Sequence, residues 1–359
     1  MKAKRLFLVL ALVLALVLPG WSANKTVTVK PSGGTYTTLA AAIAGELIAN
    51  ADLTAMAGIL NIEIGGTWSS ADTTAVVING FTTSAAYYPN IYTDAANRAS
   101  MPWSTSKYNL STANASALLL IDDHIRVDGL QISVTSSNAS DQSGIAVYGQ
   151  TSGANDIRIS GCLIKGHANA TYYNFGIDVE DSDTVLSIWD CIVYGTSTHA
   201  SSKGINVNAA STVSLYNVTV IGGTIGVGRN AGTVTAKNCY AGGTSTNDYN
   251  GTISMTTCAS EDDTGSAGLQ TIAVDTDTFV NVTATTEDYH LAIDGLSPLQ
   301  NVGTDTSGDA APLNFTTDMD GESFADDWDI GAFANVPTTT TLKPNLAIIW
   351  SMICAAFSF

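Results

Sequence analysis

Positive charge is scarce in this sequence. Lysine and arginine together number 14 against 32 aspartates and glutamates, so the formal net charge of the 359 residues is −18. Binding to nucleic acid or to anionic membrane surfaces depends on clustered basic side chains. The charge balance therefore argues against both as partners, and it is compatible with neutral glycans and with bound calcium.

Strong helix formers and metal-binding cysteine motifs are scarce too. Charged residues make up only 13% of the chain, whereas glycine alone contributes 32 residues. Threonine, serine, asparagine, alanine and valine are also abundant, and this composition favours short strands and tight turns over helices. The five cysteines include no CxxC pair and have no histidine partner, which argues against a cysteine-based metal site.

The first 23 residues, MKAKRLFLVLALVLALVLPGWSA, have the form of a secretory signal peptide. They combine a basic start, an apolar run from Leu6 to Leu18, a Pro-Gly break and a small residue at Ala23. We expect cleavage near Ala23–Asn24 and export of the mature chain, with a retained membrane anchor as the alternative. No cysteine lies near the predicted cleavage site, which argues against a lipid anchor there.

The middle of the chain contains an internal repeat. Each copy reads apolar–polar–apolar–polar, then usually a turn-prone residue, then a second apolar pair. Six segments align in this way without gaps: 125–132, 157–164, 186–193, 213–220, 234–241 and 253–260. Residues that tolerate positive φ favour a sharp corner between two short strands. The corner position holds Gly129, Gly161, Asp190, Asn217, Asn238 and Thr257.

A third strand precedes several of these segments, at 144–148 (GIAVY), 176–180 (GIDVE), 204–208 (GINVN) and 225–229 (IGVGR). Three short strands per repeat, each alternating with period two, predict one coil of a parallel β-solenoid. The predicted fold class is therefore all-β.

The pattern resembles the right-handed parallel β-helix of the pectin-lyase-like superfamily over roughly residues 25–335. The opening VTVKPSGGTYTTLAAAIAGELI (27–48) resembles the N-terminal cap of that superfamily, in which a strand and an amphipathic helix plug the first coil. The resemblance implies a strand and helix cap over 24–58 and a β-helix over 59–335. Such a cap protects the apolar surface and the strand edges of the terminal coil.

Residues 287–305 (EDYHLAIDGLSPLQNVGTD) and 318–333 (DMDGESFADDWDIGAF) form a second distinctive region. They resemble the closing segment of secreted bacterial β-helix proteins called choice-of-anchor Q domain proteins, whose pattern runs DYHL…SP…G…D.DG…DIGA. Gly295-Leu296 and Phe333-Ala334 depart from that pattern. The resemblance implies a surface protein that is followed by an anchor.

The residues after this region fit an attached protein. Residues 336–345 read as a threonine-rich linker, and residues 346–359 form an apolar tail that is short for a membrane-spanning helix. We expect an anchor or sorting segment that attaches the chain to a membrane or a cell wall. A docked terminal strand and a truncated end are the alternatives.

Four cysteines share one register directly after the corner: Cys162, Cys191, Cys239 and Cys258. We expect them to point inward as a stacked ladder of thiols, at the level of Leu130 and Val218. Neighbouring coils about 4.8 Å apart would also permit bridges. The disulfides Cys162–Cys191 and Cys239–Cys258 are therefore the alternative in a secreted protein.

The strand GIDVED (176–181) carries the candidate site. Ile177 and Val179 are expected to face the core, so that Asp178 and Glu180 face outward about 6.5–7 Å apart. Inverting glycosidases hold their carboxyl pair at roughly 6.5–9.5 Å. Stacking of neighbouring coils adds candidate ligand-binding residues beside the pair: Tyr148, Lys203, Asn206, Asn208 and Arg229.

The resemblance implies that this strand row is the face on which pectate-lyase-like enzymes bind sugar, with acidic residues that hold calcium and an arginine as base. The Asn-Thr-Asp, Asp-Asp and Gly-His-Gly motifs of polygalacturonases are nevertheless missing; Gly166-His167 lacks the second glycine, and Asp122-Asp123-His124 lies in a different coil. No neighbour is expected to raise the pKa of either carboxyl group. Solvated carboxylates, a groove for glycan or calcium, and a catalytic pair all stay open.

Two further sets of residues are candidates. Trp189 and Tyr216 occupy one outward register in adjacent coils and predict an aromatic platform for sugar rings, unless a loop covers them. An oxygen-rich acidic cluster predicts a calcium site or, alternatively, loops tied by Asx-turns. Its members are Asp318, Asp320, Asp326, Asp327 and Asp329, of which Asp318, Asp320 and Asp329 are the candidate ligands.

Together these patterns predict an exported cell-surface β-helix protein that binds glycan or adheres to it without chemistry of its own. A polysaccharide lyase or glycoside hydrolase that uses Asp178 and Glu180 is the first alternative. A structural component of an envelope layer or a phage particle is the second. No cofactor other than calcium is expected.

Overall fold

A computed structural model describes residues 24–136, 141–149, 155–166, 174–262, 264, 271–292, 297–324 and 328–334. The predicted signal peptide, linker and apolar tail lie outside the described residues. Among the described residues, no helix is both long and apolar enough to cross a bilayer.

The described chain is built almost entirely of short strands. Two helices, α1 (Leu39–Asn50) and α2 (Leu53–Met56), lie near its start. The strands, in chain order, are β1 (Lys25–Val29), β2 (Leu60–Ile64), β3 (Val76–Ile78), β4 (Pro89–Thr93), β5 (Asn109–Ala113), β6 (Leu118–Leu120), β7 (His124–Asp128), β8 (Gln131–Thr135), β9 (Gln142–Val147), β10 (Asp156–Ser160), β11 (Leu163–Lys165), β12 (Asn174–Val179), β13 (Val185–Trp189), β14 (Ile192–Thr196), β15 (Lys203–Val207), β16 (Thr212–Tyr216), β17 (Thr219–Gly222), β18 (Ile225–Arg229), β19 (Thr233–Lys237), β20 (Tyr240–Gly242), β21 (Asn247–Asn250), β22 (Ser254–Thr256), β23 (Ala259–Ser260), β24 (Phe279–Asn281) and β25 (Asp288–Leu291).

Three parallel sheets run along the molecule. Sheet 1 has the order β1-β2-β4-β7-β10-β13-β16-β19-β22, sheet 2 the order β5-β8-β11-β14-β17-β20-β23, and sheet 3 the order β3-β6-β9-β12-β15-β18-β21. From β4 to β21 each coil adds one strand to sheet 1, then to sheet 2, then to sheet 3. The predicted parallel β-helix is therefore confirmed, and β24 and β25 form a separate antiparallel pair.

The repeat alignment gives the observed register of sheet 1. Ile125 pairs with Ile157, and Ile157 with Leu186. Leu186 pairs with Val213, which in turn pairs with Val234. The apolar positions of every coil therefore stack into continuous interior columns, and nearly all of these side chains are fully buried.

The N-terminal end of the solenoid is closed by β1 and α1, as predicted. Helix α1 begins after Thr38, whose hydroxyl accepts a hydrogen bond from Ala41 N, as an N-cap residue does. Leu39 and Ile43 on its inner face are buried with the core. The carboxylate of Glu46 is also buried, and it pairs with Lys25 Nζ at 2.7 Å, so the helix is tied to β1.

All six corner residues between sheets 1 and 2 adopt positive φ, between 50° and 77°. The predicted left-handed corner is therefore confirmed. Asn217 and Asn238 stack in this column, and Asn238 Nδ2 donates to Asn217 Oδ1 at 3.2 Å. Short polar side chains are suited to the position because they tolerate the left-handed region and bond to each other along the column.

The cysteines that follow the corner form the predicted ladder of free thiols. Cys162, Cys191, Cys239 and Cys258 are all buried and unbridged. Cys162 N donates to Cys191 Sγ at 3.4 Å, which places the two residues on neighbouring coils. Leu130 and Val218 are buried at the same level, so the thiols fill the space of small apolar side chains.

Three glycines form a column near the start of neighbouring sheet 3 strands. A Cβ atom on Gly144, Gly176 or Gly204 would overlap the side chain of Ile164, Val193 or Val220, respectively. These three side chains belong to sheet 2 and already fill the interior at that level. The GIxV pattern of the sequence therefore reflects close packing between two sheets.

The described residues between 271 and 334 return along the outside of sheet 2 and bury its outer face. The DYHL motif contributes Tyr289 and Leu291 to this second core, while the DIGA motif contributes Ile330 and Ala332. Gly331 N donates to Asn238 O at 2.9 Å, and Ala332 N donates to Thr219 Oγ1 at 3.1 Å. We name residues 271–334 the closing segment, because its main chain is bonded to the corner column and to sheet 2.

Substitution of Gly176 by alanine tests the glycine column. The added methyl would collide with Val193 and with Gly204 O, so we expect a loss of about 1–3 kcal/mol in the free energy of unfolding. Gly308→Ala is the matched control, since nothing lies within 4 Å of a Cβ there, and its effect should stay within about 0.5 kcal/mol. Urea unfolding followed by circular dichroism measures both, and equal stabilities would contradict this packing.

Candidate functional site

Two rows of side chains run side by side along the outer face of sheet 3. The inner row lies within the strands and comprises Ala146, Asp178, Asn206 and Gly228. The rim row follows the strands at their carboxyl ends and comprises Asn79, Ile121, Tyr148, Glu180, Asn208 and Asn230. The stacking predicted around Asp178 and Glu180, with Tyr148 on one side and Asn206 and Asn208 on the other, is therefore observed.

Asp178 is buried. The interpretation as a solvated carboxylate and the expectation of an unraised pKa are therefore both wrong for this residue. Its exposed fraction is 2%, so it is not a solvated carboxylate. Tyr148 Oη donates to Asp178 Oδ2 at 3.1 Å, and Asn206 Nδ2 donates to Asp178 Oδ1 at 2.7 Å. Burial, with a contribution from the negative charge of Glu180, nevertheless raises the pKa of Asp178 to about 6.

Lys203 lies across the inner row. Its Nζ donates to Asn206 Oδ1 at 2.7 Å and to Asn230 Oδ1 at 3.2 Å, so it links two coils. Burial lowers the pKa of Lys203. Gly228 makes room for the lysine stem, because a Cβ there would lie 2.5 Å from Lys203 Cδ.

The rim row closes the network on the solvent side. Asn208 Nδ2 donates to both oxygens of Glu180, at 3.1 and 2.9 Å, and Asn230 Nδ2 donates to Asn208 Oδ1 at 2.8 Å. These side chains, with Lys203 and Asn206, line a cleft of about 390 Å³. We name this cavity the amide cleft; Asp141, Phe175, Ala200 and Ser201 complete its lining.

Asn230 was not predicted, and the reason is an offset of one residue. The sequence alignment matched 225–229 to 204–208, whereas the structure pairs Val227 with Ile205 and Arg229 with Val207. The matching segment is therefore GVGRN, 226–230, in which Asn230 follows Asn208. Ile205 and Val227 each lie two residues before the end of their strand. Aligning these two apolar residues would have given the observed register.

Arg229 does not join the site. It pairs with Val207, in the column whose other members face the core, and its guanidinium donates from Nε to Gly232 O at 2.8 Å. It therefore holds the turn after β18. Among the predicted ligand-binding residues of sheet 3, the structure brings together Tyr148, Lys203, Asn206 and Asn208.

Trp189 and Tyr216 lie on sheet 1, away from the amide cleft, and the closing segment reaches over them. Trp189 stacks with Phe315 at a centroid distance of 6.5 Å. Lys237 lies 5.8 Å from the Tyr216 ring centroid and pairs with Asp309 at 2.7 Å. The alternative interpretation, that a loop covers this aromatic row, matches these contacts.

The candidate calcium ligands do not converge. Asp318 is buried and accepts hydrogen bonds from the main-chain N–H groups of Asp320, Glu322 and Ala334, at 2.8–2.9 Å. Burial raises the pKa of Asp318 to about 6. Within the described ranges, no group of three acidic, histidine or cysteine side chains could hold a metal ion. Asp326 and Asp327 lie outside the described residues.

The other two candidate calcium ligands bond to the closing segment itself. Asp320 contacts His290 Nε2 at 2.7 Å, and Asp329 Oδ1 accepts a hydrogen bond from Asn301 N at 2.7 Å. Asp318, Asp320 and Asp329 therefore bond within the closing segment, which agrees with the alternative that the sequence left open for them.

The amide cleft is suited to a ligand rich in hydroxyl groups. Carboxamides both donate and accept hydrogen bonds, and Glu180 adds an acceptor beside them. Both oxygens of Asp178 are already bonded to protein donors, so this residue orients Tyr148 and Asn206. No protein-family model, curated protein or solved structure matches this chain.

The pH dependence of stability tests the burial of Asp178. The folded-state pKa of about 6 exceeds the usual 3.8, so the folded protein binds this proton more tightly than the unfolded chain does. The stabilisation is complete below about pH 4 and is lost as the pH rises through 6. The stability of the wild type relative to Asp178→Asn should therefore fall by about 2–3 kcal/mol from pH 4 to pH 7.

Denaturant unfolding at several pH values measures this difference. The comparison with Asp178→Asn cancels the titration of Asp248 and Asp318, whose pKa values burial also raises to about 6. Parallel pH profiles for the two proteins would show that Asp178 titrates like an exposed aspartate.

Proposed function

We propose that this protein is an exported, surface-attached β-helix protein that binds glycan through the amide cleft and performs no chemistry there. One observation carries the proposal: amides from neighbouring coils, together with Glu180 and Lys203, form a bonded network along one open cleft. Preorganised polar side chains of this kind can exchange their mutual hydrogen bonds for bonds to sugar hydroxyl groups.

An exposed aromatic ring supports the same proposal. Tyr148 lies next to Glu180 in the rim row, 38% exposed, with its hydroxyl group fixed by Asp178. A ring held in this way offers a flat apolar surface on which the face of a sugar can pack. In this proposal Asp178 positions Tyr148 and Asn206, to which it is bonded.

Export and attachment rest on the two ends of the sequence. Residues 1–23 resemble a secretory signal peptide, and residues 336–359 combine a threonine-rich linker with an apolar tail. The resemblance of the closing segment to choice-of-anchor Q domain proteins supports a cell-surface location. The proposed partner of the amide cleft is a polysaccharide. The proposed point of attachment is a membrane or a cell wall.

Binding assays on the purified protein test the proposal. We expect binding to at least one member of a panel of neutral and acidic polysaccharides, and about tenfold weaker affinity for the double variant Asn208→Ala/Asn230→Ala. Thr212→Ala/Thr233→Ala, which changes two exposed residues of sheet 1, is the matched control and should bind like the wild type. Equal affinity for all three proteins, or no binding to the whole panel, would overturn the proposal.

A polysaccharide lyase or glycoside hydrolase is the second candidate, and the raised pKa of Asp178 favours it. A carboxyl group with a pKa of about 6 beside Glu180 has the property of a general acid near neutral pH. Release of reducing or unsaturated ends from the same polysaccharides, measured between pH 5 and 8, tests this candidate.

An enzyme should lose about 100-fold or more of its rate in Asp178→Asn and retain sugar binding. Products that the variant releases at the wild-type rate would remove Asp178 from catalysis. Binding without products from the wild type would leave the non-catalytic function.

A further inference from the structure

A second cavity lies on the same rim row as the amide cleft. Asn79, Ile121 and Gly149 line it together with Asp122 and Asp123, and its volume is about 260 Å³. Gly149 directly follows Tyr148 in the chain, so this cavity is lined by the residue next to the exposed tyrosine. Nothing in the proposed function uses it, and we name it the distal cavity.

The main chain joins the two cavities without interruption. Each rim residue after Asn79 donates its N–H group to the last carbonyl group of the preceding strand in sheet 3: Ile121 to Ile78, Tyr148 to Leu120, Glu180 to Val147, Asn208 to Val179 and Asn230 to Val207, at 2.8–3.1 Å. Six rim residues in consecutive coils span five strand spacings, or about 24 Å along the solenoid axis. All six are at least partly exposed.

The charges along this row select the kind of ligand. Of the side chains that line the two cavities, four carry carboxyl groups, Asp122, Asp123, Asp141 and Glu180, and one, Lys203, carries an amine. The amine is already bonded to Asn206 and Asn230. A polyanionic chain would therefore be repelled by the carboxylates along the row. The amine of Lys203 offers little compensation, because it is already bonded to protein acceptors.

We infer that the amide cleft, Tyr148 and the distal cavity form one elongated binding track for a neutral, linear polysaccharide lying parallel to the solenoid axis. The inference rests on the proposed glycan-binding function and adds to it the class of ligand, its direction and a second subsite. Tyr148 occupies the centre of the track, where its ring supports the chain between the two cavities.

The track makes affinity depend on the length of the ligand. Two subsites on one chain reinforce each other, so an oligosaccharide long enough to reach both should bind about tenfold or more tightly than one that fills the amide cleft alone. Calorimetric titration with graded cello-oligosaccharides, xylo-oligosaccharides and manno-oligosaccharides measures this gain. Oligogalacturonates of the same lengths should bind about tenfold more weakly at low ionic strength.

The variant Thr82→Trp tests the distal cavity independently of the amide cleft. Thr82 is exposed and lines the distal cavity, so an indole at this position should fill that cavity. We expect the variant to bind short oligosaccharides like the wild type and to lose the gain with length. Thr82→Ala leaves the cavity open and should keep the gain.

The outcomes distinguish the track from the proposed function. Binding of short oligosaccharides that depends on Asn208 and Asn230, without any gain with length or with an equal gain in Thr82→Trp, overturns the track and leaves the proposed function standing. Oligogalacturonates that bind as tightly as the neutral series overturn the choice of ligand class. No binding by any oligosaccharide overturns both proposals.

Discussion

Parallel pairing of strands at a spacing of about 4.8 Å places each residue of one coil directly over its counterpart in the next. The interior columns, the left-handed corners, the thiol ladder and the two polar rows of sheet 3 all follow from this constraint. It also contributes to the burial of Asp178: Asn206 stacks directly on it in the next coil, and Tyr148 of the preceding coil reaches it at bonding distance. A side chain in such a stack depends on its neighbours in adjacent coils more than on its neighbours in sequence.

Period-two alternation and the repeated corner residues were enough to predict the coil architecture, the register of sheet 1 and the inward cysteines. These features depend on local pattern and on stacking, both of which are visible in the sequence. The coil of β4, β5 and β6 was missed because 15 residues, 94–108, separate β4 from β5, whereas only two residues separate the corresponding strands in the later coils. The register of β18 was missed because IGVGR contains two glycines, which blur the alternation between inward and outward positions.

The site could be predicted only in part, for physical reasons. Sequence placed Tyr148, Asp178, Glu180, Asn206 and Asn208 together, because stacking alone brings them together. It could not give the burial of Asp178, which depends on how the side chains of Tyr148 and Asn206 turn toward the carboxylate. The cover over Trp189 and Tyr216 depends on Phe315 and Asp309, more than 90 residues away along the chain from either aromatic. Contacts of such long range leave no periodic signal.

The closing segment changes how the solenoid holds together. In a plain solenoid each coil contacts only its neighbours, so the terminal coils can fray independently of the rest. Here Arg98 Nε donates to Met319 O at 3.1 Å, while Gly331 bonds to Asn238, so one segment touches early and late coils at once. The closing segment therefore links coils that are not neighbours. We expect the C-terminal coils to unfold only after the closing segment has detached from them. If the chain is attached through its tail as proposed, a pulling force would be distributed over many coils at once.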